Sequence, residues 1–292
     1  MKKAIFTFVL AFVAIYAINA QDLTSKRGFP ILPEKGDYCI SIDAVPFFEY
    51  LGNMFHGDSV TKAPTFDFPG LGDIPMWTLQ VKKFVSPDMA MRTRIRLGYS
   101  SHTIKNTIPD QTNTSTTPAY VDDKWRETQM NIVLGAGVEK RKGKGRVQGY
   151  TGAMFNLMLG THGNKYIYGN DMNSTYPTPI STDWSGTVEK TSGGSYPFGP
   201  ATSRNLTKNY GMSFGIGVNT FIGVEYFFAP KMSIGGEFSW GVLVKITGKT
   251  KTETESMDGT SETTTTYKSG GSTYFGIDNS NTGGAINLNF YF

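Results

Sequence analysis

Polar and apolar residues alternate with a period of two along most of this chain. The stretch MAMRTRIRLGYSS, residues 89–101, sets Arg92, Arg94 and Arg96 on one face and Met91, Thr93, Ile95, Leu97 and Tyr99 on the other. Successive side chains of a strand point to opposite faces, so this spacing predicts a β-strand with two chemically different sides. The same period predicts strands near 37–51, 76–85, 90–101, 127–140, 146–160, 210–228, 231–248 and 282–292, eight in all. Their apolar faces are continuous: Tyr38, Ile40, Ile42, Ala44 and Phe48 in the first, and Met130, Ile132, Leu134, Ala136 and Val138 in the fourth. The sixth gives Met212, Phe214, Ile216, Val218, Ile222, Val224, Tyr226 and Phe228, and the last gives Ile286, Leu288, Phe290 and Phe292. The run from Arg146 to Gly160 is the weakest, because Gly149 and Thr151 interrupt its apolar face.

The connections alternate too. SPD at 86–88, RKGKG at 141–145 and AP at 229–230 are short turns, whereas 52–75, 102–126, 161–209 and 249–281 are long links. Short turns at one end and long loops at the other are the pattern of an outer-membrane barrel with its turns in the periplasm. Alternation alone fits either a soluble barrel with its arginines in water or a membrane barrel with its arginines in the lumen.

Three features favour the membrane arrangement. The polar faces hold Gly135, Gly137, Gly211, Gly215, Gly217 and Gly223, small residues suited to a crowded interior. Charges on the apolar faces, Lys83 and Lys140, sit beside short turns, where a long side chain can reach an interface. Aromatics, Trp77, Tyr99, Tyr226, Phe228 and Phe290, gather near strand ends, where girdles belong. The composition, with 34 glycines and 13% aromatic residues, suits strands and tight turns.

The first residues, MKKAIFTFVLAFVAIYAINA, have a basic start and an apolar run that ends in small residues, the pattern of a secretory signal peptide cleaved after Ala20. Its removal leaves 26 basic residues (28 minus 2) against 24 acidic ones, a near balance that gives no electrostatic case for nucleic acid. The one cysteine, Cys39, excludes an internal disulfide and reads as a packed strand residue. The expected organisation is a signal peptide at 1–20, a periplasmic stub at 21–36, and a barrel at 37–292 with four long extracellular loops and three short periplasmic turns.

On these residues the chain resembles the small eight-stranded outer-membrane barrels, in particular the outer-membrane β-barrel domain proteins of the Bacteroidota. The likeness rests on the signal ending INAQ, the PDM and APKMS turns that open new strands, and the closing AINLNFYF. It implies an all-β, antiparallel, up-and-down transmembrane barrel with both termini periplasmic. It also implies contact with outer-membrane lipids and lipopolysaccharide, and recognition by the outer-membrane assembly machinery through a last strand ending in Phe292.

Within that arrangement the lumenal cations are Lys82, Arg92, Arg94, Arg96, Arg146, Lys231 and Lys245, facing Asp37, Asp43, Glu49, Glu127, Glu139, Glu225 and Glu237, seven of each sign. Balanced charge in a narrow lumen favours a salt-bridged polar filling over an ion path. For Arg94 the carboxylates expected on neighbouring strands are Glu49 and Glu127. Three histidines, His56, His102 and His162, fall just beyond the ends of strands that run toward the long loops, a placement that permits a metal or acid–base cluster at the rim. Those strands alternate with strands of opposite direction, so no metal site and no cofactor is expected. Ser101 beside His102 invites comparison with lipid-modifying barrel enzymes, but catalytic geometry is made in space.

Loop 161–209 carries Tyr166, Tyr168, Tyr176, Trp184, Tyr196 and Phe198 among polar residues. Such a mixture can bind an extracellular ligand or can pack the loop over the barrel mouth. The last loop, with Asp258-Gly259 between threonine-rich segments, predicts a hairpin turning at that pair. Asp58-Ser59-Val60 matches a short O-glycosylation signal at Ser59. The leading functional expectation is a non-enzymatic barrel displaying loops for surface interaction. The alternatives are small-solute binding or passage and a lipid-modifying enzyme.

Overall fold

Every regular element among the described residues is a strand. The computed structural model describes residues 23–43, 77–143, 145–185, 196–278 and 285–292. The segment expected to be a signal peptide, Glu49, His56, Ser59 and the side chain of Asp43 lie outside them. The strands are β1 (Tyr38–Asp43), β2 (Trp77–Ser86), β3 (Met89–Pro109), β4 (Tyr120–Lys142), β5 (Val147–Ile167), β6 (Ile180–Thr182) and β7 (Phe198–Pro200). They continue as β8 (Ser203–Ala229), β9 (Met232–Thr247), β10 (Lys251–Asp258), β11 (Ser261–Lys268), β12 (Ser272–Asp278) and β13 (Ala285–Tyr291). Thirteen strands therefore stand where the alternation predicts eight. No helix among the described residues is long and apolar enough to cross a membrane.

Eight strands pair antiparallel in the order β1-β2-β3-β4-β5-β8-β9-β13, and β13 returns to β1 through Cys39↔Tyr291 to Asp43↔Asn287, so the sheet closes into a ring. The predicted segments supply these ring strands. The other five strands belong to the long links: β6 and β7 form a small separate sheet, β10 and β11 a hairpin paired to the start of β8, and β12 pairs with the far part of β9.

The short connections lie together at one end of the ring. Pro87–Asp88 joins β2 to β3, with Ser86 Oγ donating to Asp88 Oδ1 at 2.6 Å. Pro230–Lys231 joins β8 to β9, and Lys231 sits in the left-handed region at φ 57°. That conformation is uncommon for a residue with a Cβ. Contacts on several sides hold it: its amide donates to Ile31 O at 3.2 Å, its carbonyl accepts from Tyr291 N at 2.9 Å, and its ammonium pairs with Asp37. Asp37 and Lys231, expected in the lumen, thus meet at the rim. Arg146 is likewise exposed there, donating to the carbonyls of Phe227 and Phe228. Residues 23–36 fold under this end, and Ile31 packs against Cys39, Phe84, Ala90, Phe227 and Tyr291.

At the other end the strands outrun the prediction. β3 continues to Pro109 and is paired residue for residue with β4 as far as Pro109↔Tyr120, so the link is 110–119 rather than 102–126. Past Ser101 the apolar residues of β3 change sides: Ile104 and Ile108 point inward with Asn106, while Thr103, Lys105 and Thr107 are exposed. A change of phase in the hydrophobic pattern reads as a strand end, although the backbone continues. In the last long link the hairpin turns one residue later than predicted: Asp258 pairs with Ser261, leaving Gly259 and Thr260 as the turn, with Gly259 at φ 65°. Glycine at the first turn position supplies the positive φ a two-residue hairpin requires.

Candidate functional site

Reading upward from the turn end, the inward side chains group in layers. Above the Ile31 cluster lies an ion-pair network. Glu139 of β4 meets Lys82 at 3.1 Å, Arg92 at 3.4 Å and Arg141 at 2.8 Å. Glu237 of β9 meets Arg92 at 2.7 Å and Arg94 at 3.4 Å. Glu225 of β8 pairs with Arg141 and accepts from Ser233 and Tyr291. Gln80 accepts from Arg92 at 2.6 Å and from Arg94 at 3.2 Å. All of these side chains are buried, as is Arg96 on the same face of β3. Among the described residues the carboxylate that Arg94 meets is therefore Glu237, across the ring, rather than Glu127, while Glu49 lies outside them. Lys245 is half-buried on the inner face of β9, farther toward the loop end.

The glycines explain how such long side chains fit. Arg92 pairs across the strand with Gly137, Arg94 with Gly135 and Tyr150 with Gly223. A Cβ on Gly223 would stand 2.3 Å from Tyr150 Cζ, and one on Gly137 would stand 2.2 Å from the carbonyl oxygen of Ala153. Each large inward side chain thus lies over a neighbour without one. The guanidinium of Arg92 also covers the Phe221 ring at 3.9 Å, so its flat face is packed while its edge is paired. Sequence reading missed Arg141 by assigning it to a turn. The period of two that runs through Gly137 and Glu139 reaches it two residues later.

The outer surface at this height is the reverse of the interior. Met91, Leu97, Tyr99, Leu134, Val138, Phe155, Phe214, Val218, Ile222 and Phe238 are all exposed, between 45% and 68%. On β3 this belt runs from Met89 to Tyr99.

Where the belt ends, the interior changes. Val133, Met158 and Leu243 form an apolar layer, and above it Glu127, Gln129, His102 and His162 lie on the inner faces of three adjacent strands. His162 Nε2 lies 2.8 Å from Glu127 Oε1, Gln129 Nε2 donates to the same oxygen at 3.4 Å, and the imidazole stacks on Tyr210 at 4.3 Å. His102 stands edge-on to Trp125 at 6.2 Å. A carboxylate-oriented imidazole is half of an acid–base device. Among the described residues neither imidazole has a hydrogen bond to a serine or threonine hydroxyl, and no three metal-ligating groups converge. Glu127, expected in the lumenal charge network, belongs to this separate layer.

The long link after β5 closes the loop end. Ile104, Trp125, Tyr166, Trp184 and Tyr196 pack together, with Tyr168 against them. Buried Asp123 accepts from the amides of Gly169 at 2.8 Å and Thr182 at 2.7 Å, and Asn106 donates to Thr182 Oγ1 and Tyr196 O. Of the aromatics considered for ligand binding, Tyr166, Trp184 and Tyr196 are buried, Tyr168 and Tyr176 are half-buried, and Phe198 stands 48% exposed. Beside Phe198 is an open recess of about 560 Å³ between the β6–β7 hairpin and the start of β8, lined also by Tyr168, Asp183, Trp184, Arg204 and Asn205.

Comparison with protein-family models and with curated proteins finds no match to this chain.

Proposed function

We propose that this chain is an integral outer-membrane β-barrel whose eight ring strands enclose a filled, charge-paired lumen, and whose loop end is an interaction surface outside the cell. The observation that carries the reading is the inverted polarity of the turn half, with ionised side chains buried inside and an apolar belt outside. A water-soluble ring has no reason to bury Arg92, Lys82 and Glu139 while exposing Tyr99, Leu97 and Ile222. The belt from Met89 to Tyr99 matches the roughly 9–11 residues a tilted transmembrane strand needs. The turn connections and both chain termini then lie in the periplasm, with Phe292 available to the assembly machinery. Lipids and lipopolysaccharide surround the belt.

The layered filling argues against solute passage. The ion pairs, the Val133–Met158–Leu243 layer and the aromatic cluster follow one another along the inward faces, an order that supports a filled interior. The His162–Glu127 pair favours the lipid-modifying alternative, but among the described residues no serine or threonine hydroxyl bonds to the imidazole.

Single cysteines at Thr114, Ser185 and Gly259 in a Cys39→Ser background test the arrangement on intact cells. All three should react with a membrane-impermeant maleimide. Reaction only after the envelope is opened would reverse the orientation, and equal reaction of a cysteine at Leu97 with a water-borne probe would remove the belt from lipid. In planar bilayers the purified protein should show no steady conductance.

A further inference from the structure

The recess beside Phe198 is built from groups whose chemistry is already partly committed, and the uncommitted remainder points to a ligand. Arg204 is buried, its guanidinium lies over the Tyr168 ring at 4.3 Å, and Nε donates to Glu255 at 2.5 Å. Nη1 donates to Asn170 O and Ser181 Oγ, both at 2.8 Å. Among the described residues Nη2 has no hydrogen-bond partner and is not sealed from solvent, so one donor edge of a rigidly held guanidinium stays open to the recess. Trp184, 7% exposed, lines the same recess with its Nε1 buried and unpaired. Asp183 supplies the opposite function: Ser185 N donates to Oδ1 at 2.8 Å, and this bonding from Ser185 holds its carboxyl below the usual range, so it is an ionised acceptor. Burial pushes the Tyr168 phenol well above its ordinary value, so that group remains a donor, to Asn205 O at 2.9 Å.

Charge decides among ligand classes. The cation of Arg204 is matched by Glu255, and Asp183 adds a carboxylate on the recess wall, so an anion would meet a negative group with no unmatched positive one. A cation would meet the guanidinium edge. A neutral polyol can accept from Nη2, donate to Asp183, and lay its carbon face on the exposed ring of Phe198. Concave sites with an aromatic floor and a few convergent polar groups are the ordinary form of small-ligand recognition.

We infer that this recess binds an uncharged saccharide, with Phe198 as the stacking floor, Arg204 and Asp183 as the hydroxyl-reading groups and Trp184 in the recess wall. The inference deepens the proposed surface-interaction role and rests on it for its biological setting, but the binding itself does not require a membrane. Detergent-solubilised full-length protein would be titrated with maltohexaose, cellohexaose and mannohexaose, and with a galacturonate hexamer as the anionic counterpart, following intrinsic tryptophan fluorescence. At least one neutral hexasaccharide should saturate with Kd at or below roughly 1 mM, the range of a single shallow site. The galacturonate hexamer should bind at least about tenfold more weakly. Phe198→Ala should weaken binding about tenfold with an unchanged thermal midpoint, because that ring supports no buried cluster. Asp183→Asn should weaken it less. Failure of all three neutral probes, tighter binding of the galacturonate hexamer, or indifference to Phe198→Ala would each overturn the assignment. Insertion of the same preparation into lipid vesicles, measured in parallel, separates the two readings: saccharide binding without insertion would sink the membrane reading alone, and insertion without binding this one alone.

Discussion

One strand, β3, passes through two kinds of surroundings. Toward the turn end its inward residues are Arg92, Arg94 and Arg96 and its exposed ones are Met91, Ile95, Leu97 and Tyr99. Toward the loop end the inward residues are Ile104, Asn106 and Ile108, and the exposed ones are Thr103, Lys105 and Thr107. The backbone, the pairing with β4 and the inward parity are the same in both halves. What differs is which kind of side chain is placed outward, and that choice reports the solvent. The loop half is arranged as a water-soluble sheet and the turn half as its inverse. The change falls at Tyr99, beside Met130, Thr161 and Met212 on the successive strands, which on the proposed reading is the outer surface of the membrane.

The widest gap between the halves should follow loss of Glu139. Glu139→Ala leaves Lys82 without its carboxylate and removes one of two from Arg141 and from Arg92, which should cost roughly 3–5 kcal/mol. Urea titration of the refolded protein in lipid vesicles measures it, and a cost under about 1 kcal/mol would mean that the network is solvated. Next comes the belt. On the proposed reading Ile95→Arg places a cation in hydrocarbon at roughly 2–4 kcal/mol near mid-depth, whereas Lys105→Leu, ten positions along the same strand, should stay within about 0.5 kcal/mol. Equal effects of the two in vesicles would erase the distinction between the halves.

A smaller effect concerns pairing across the ring. Arg94→Leu should destabilise, and Glu237→Gln in the same molecule should recover part of the loss, with a coupling of roughly 0.5–2 kcal/mol; Glu127→Gln should recover nothing. A double-mutant cycle by vesicle refolding decides this. The smallest effect belongs to the link beyond β3. Asp110 accepts from the amide and hydroxyl of Thr112, which holds its carboxyl below the usual range. A depressed carboxylate stabilises the fold above its unfolded value near 3.9 and loses that contribution as pH falls through the lower folded value. The Thr112 amide resonance should therefore shift only in strongly acidic solution, with the belt residues unmoved.

The ring was legible because a period of two survives wherever one solvent lies on each side of a strand. The inner and outer sets of 90–99 and 130–139 are read directly from spacing, and the turns from Pro and Gly. Reading failed where the exposed face changes from apolar to polar, since the apolar set then hops to the other parity and imitates a strand end at Ser101. The cross-ring partner of Arg94 was hidden for a different reason: Glu237 lies 143 positions away, and nothing local marks which carboxylates share a height. The loop aromatics show the limit of composition. Trp184 and Phe198 belong to the same tyrosine- and tryptophan-rich link, yet one is packed and the other is open, a difference set by how the β6–β7 hairpin folds back over the ring.

The seam between β1 and β13 has a kinetic meaning. Adjacent strands such as β3 and β4 meet across a short link and can zip locally, but Ser41 and Asn289, hydrogen-bonded at the seam, stand 248 positions apart. The entropy of closing so long a segment falls on the residue pairs that join β1 to β13, five of them among the described residues. The sheet has little to gain from that closure until its other seven seams are aligned. Until then both edges of an almost complete sheet are open, each able to pair with another chain. The same two strands that complete the ring are thus its most exposed templates for mispairing while it assembles, and rapid capture of the last strand protects against aggregation as much as it contributes to final stability.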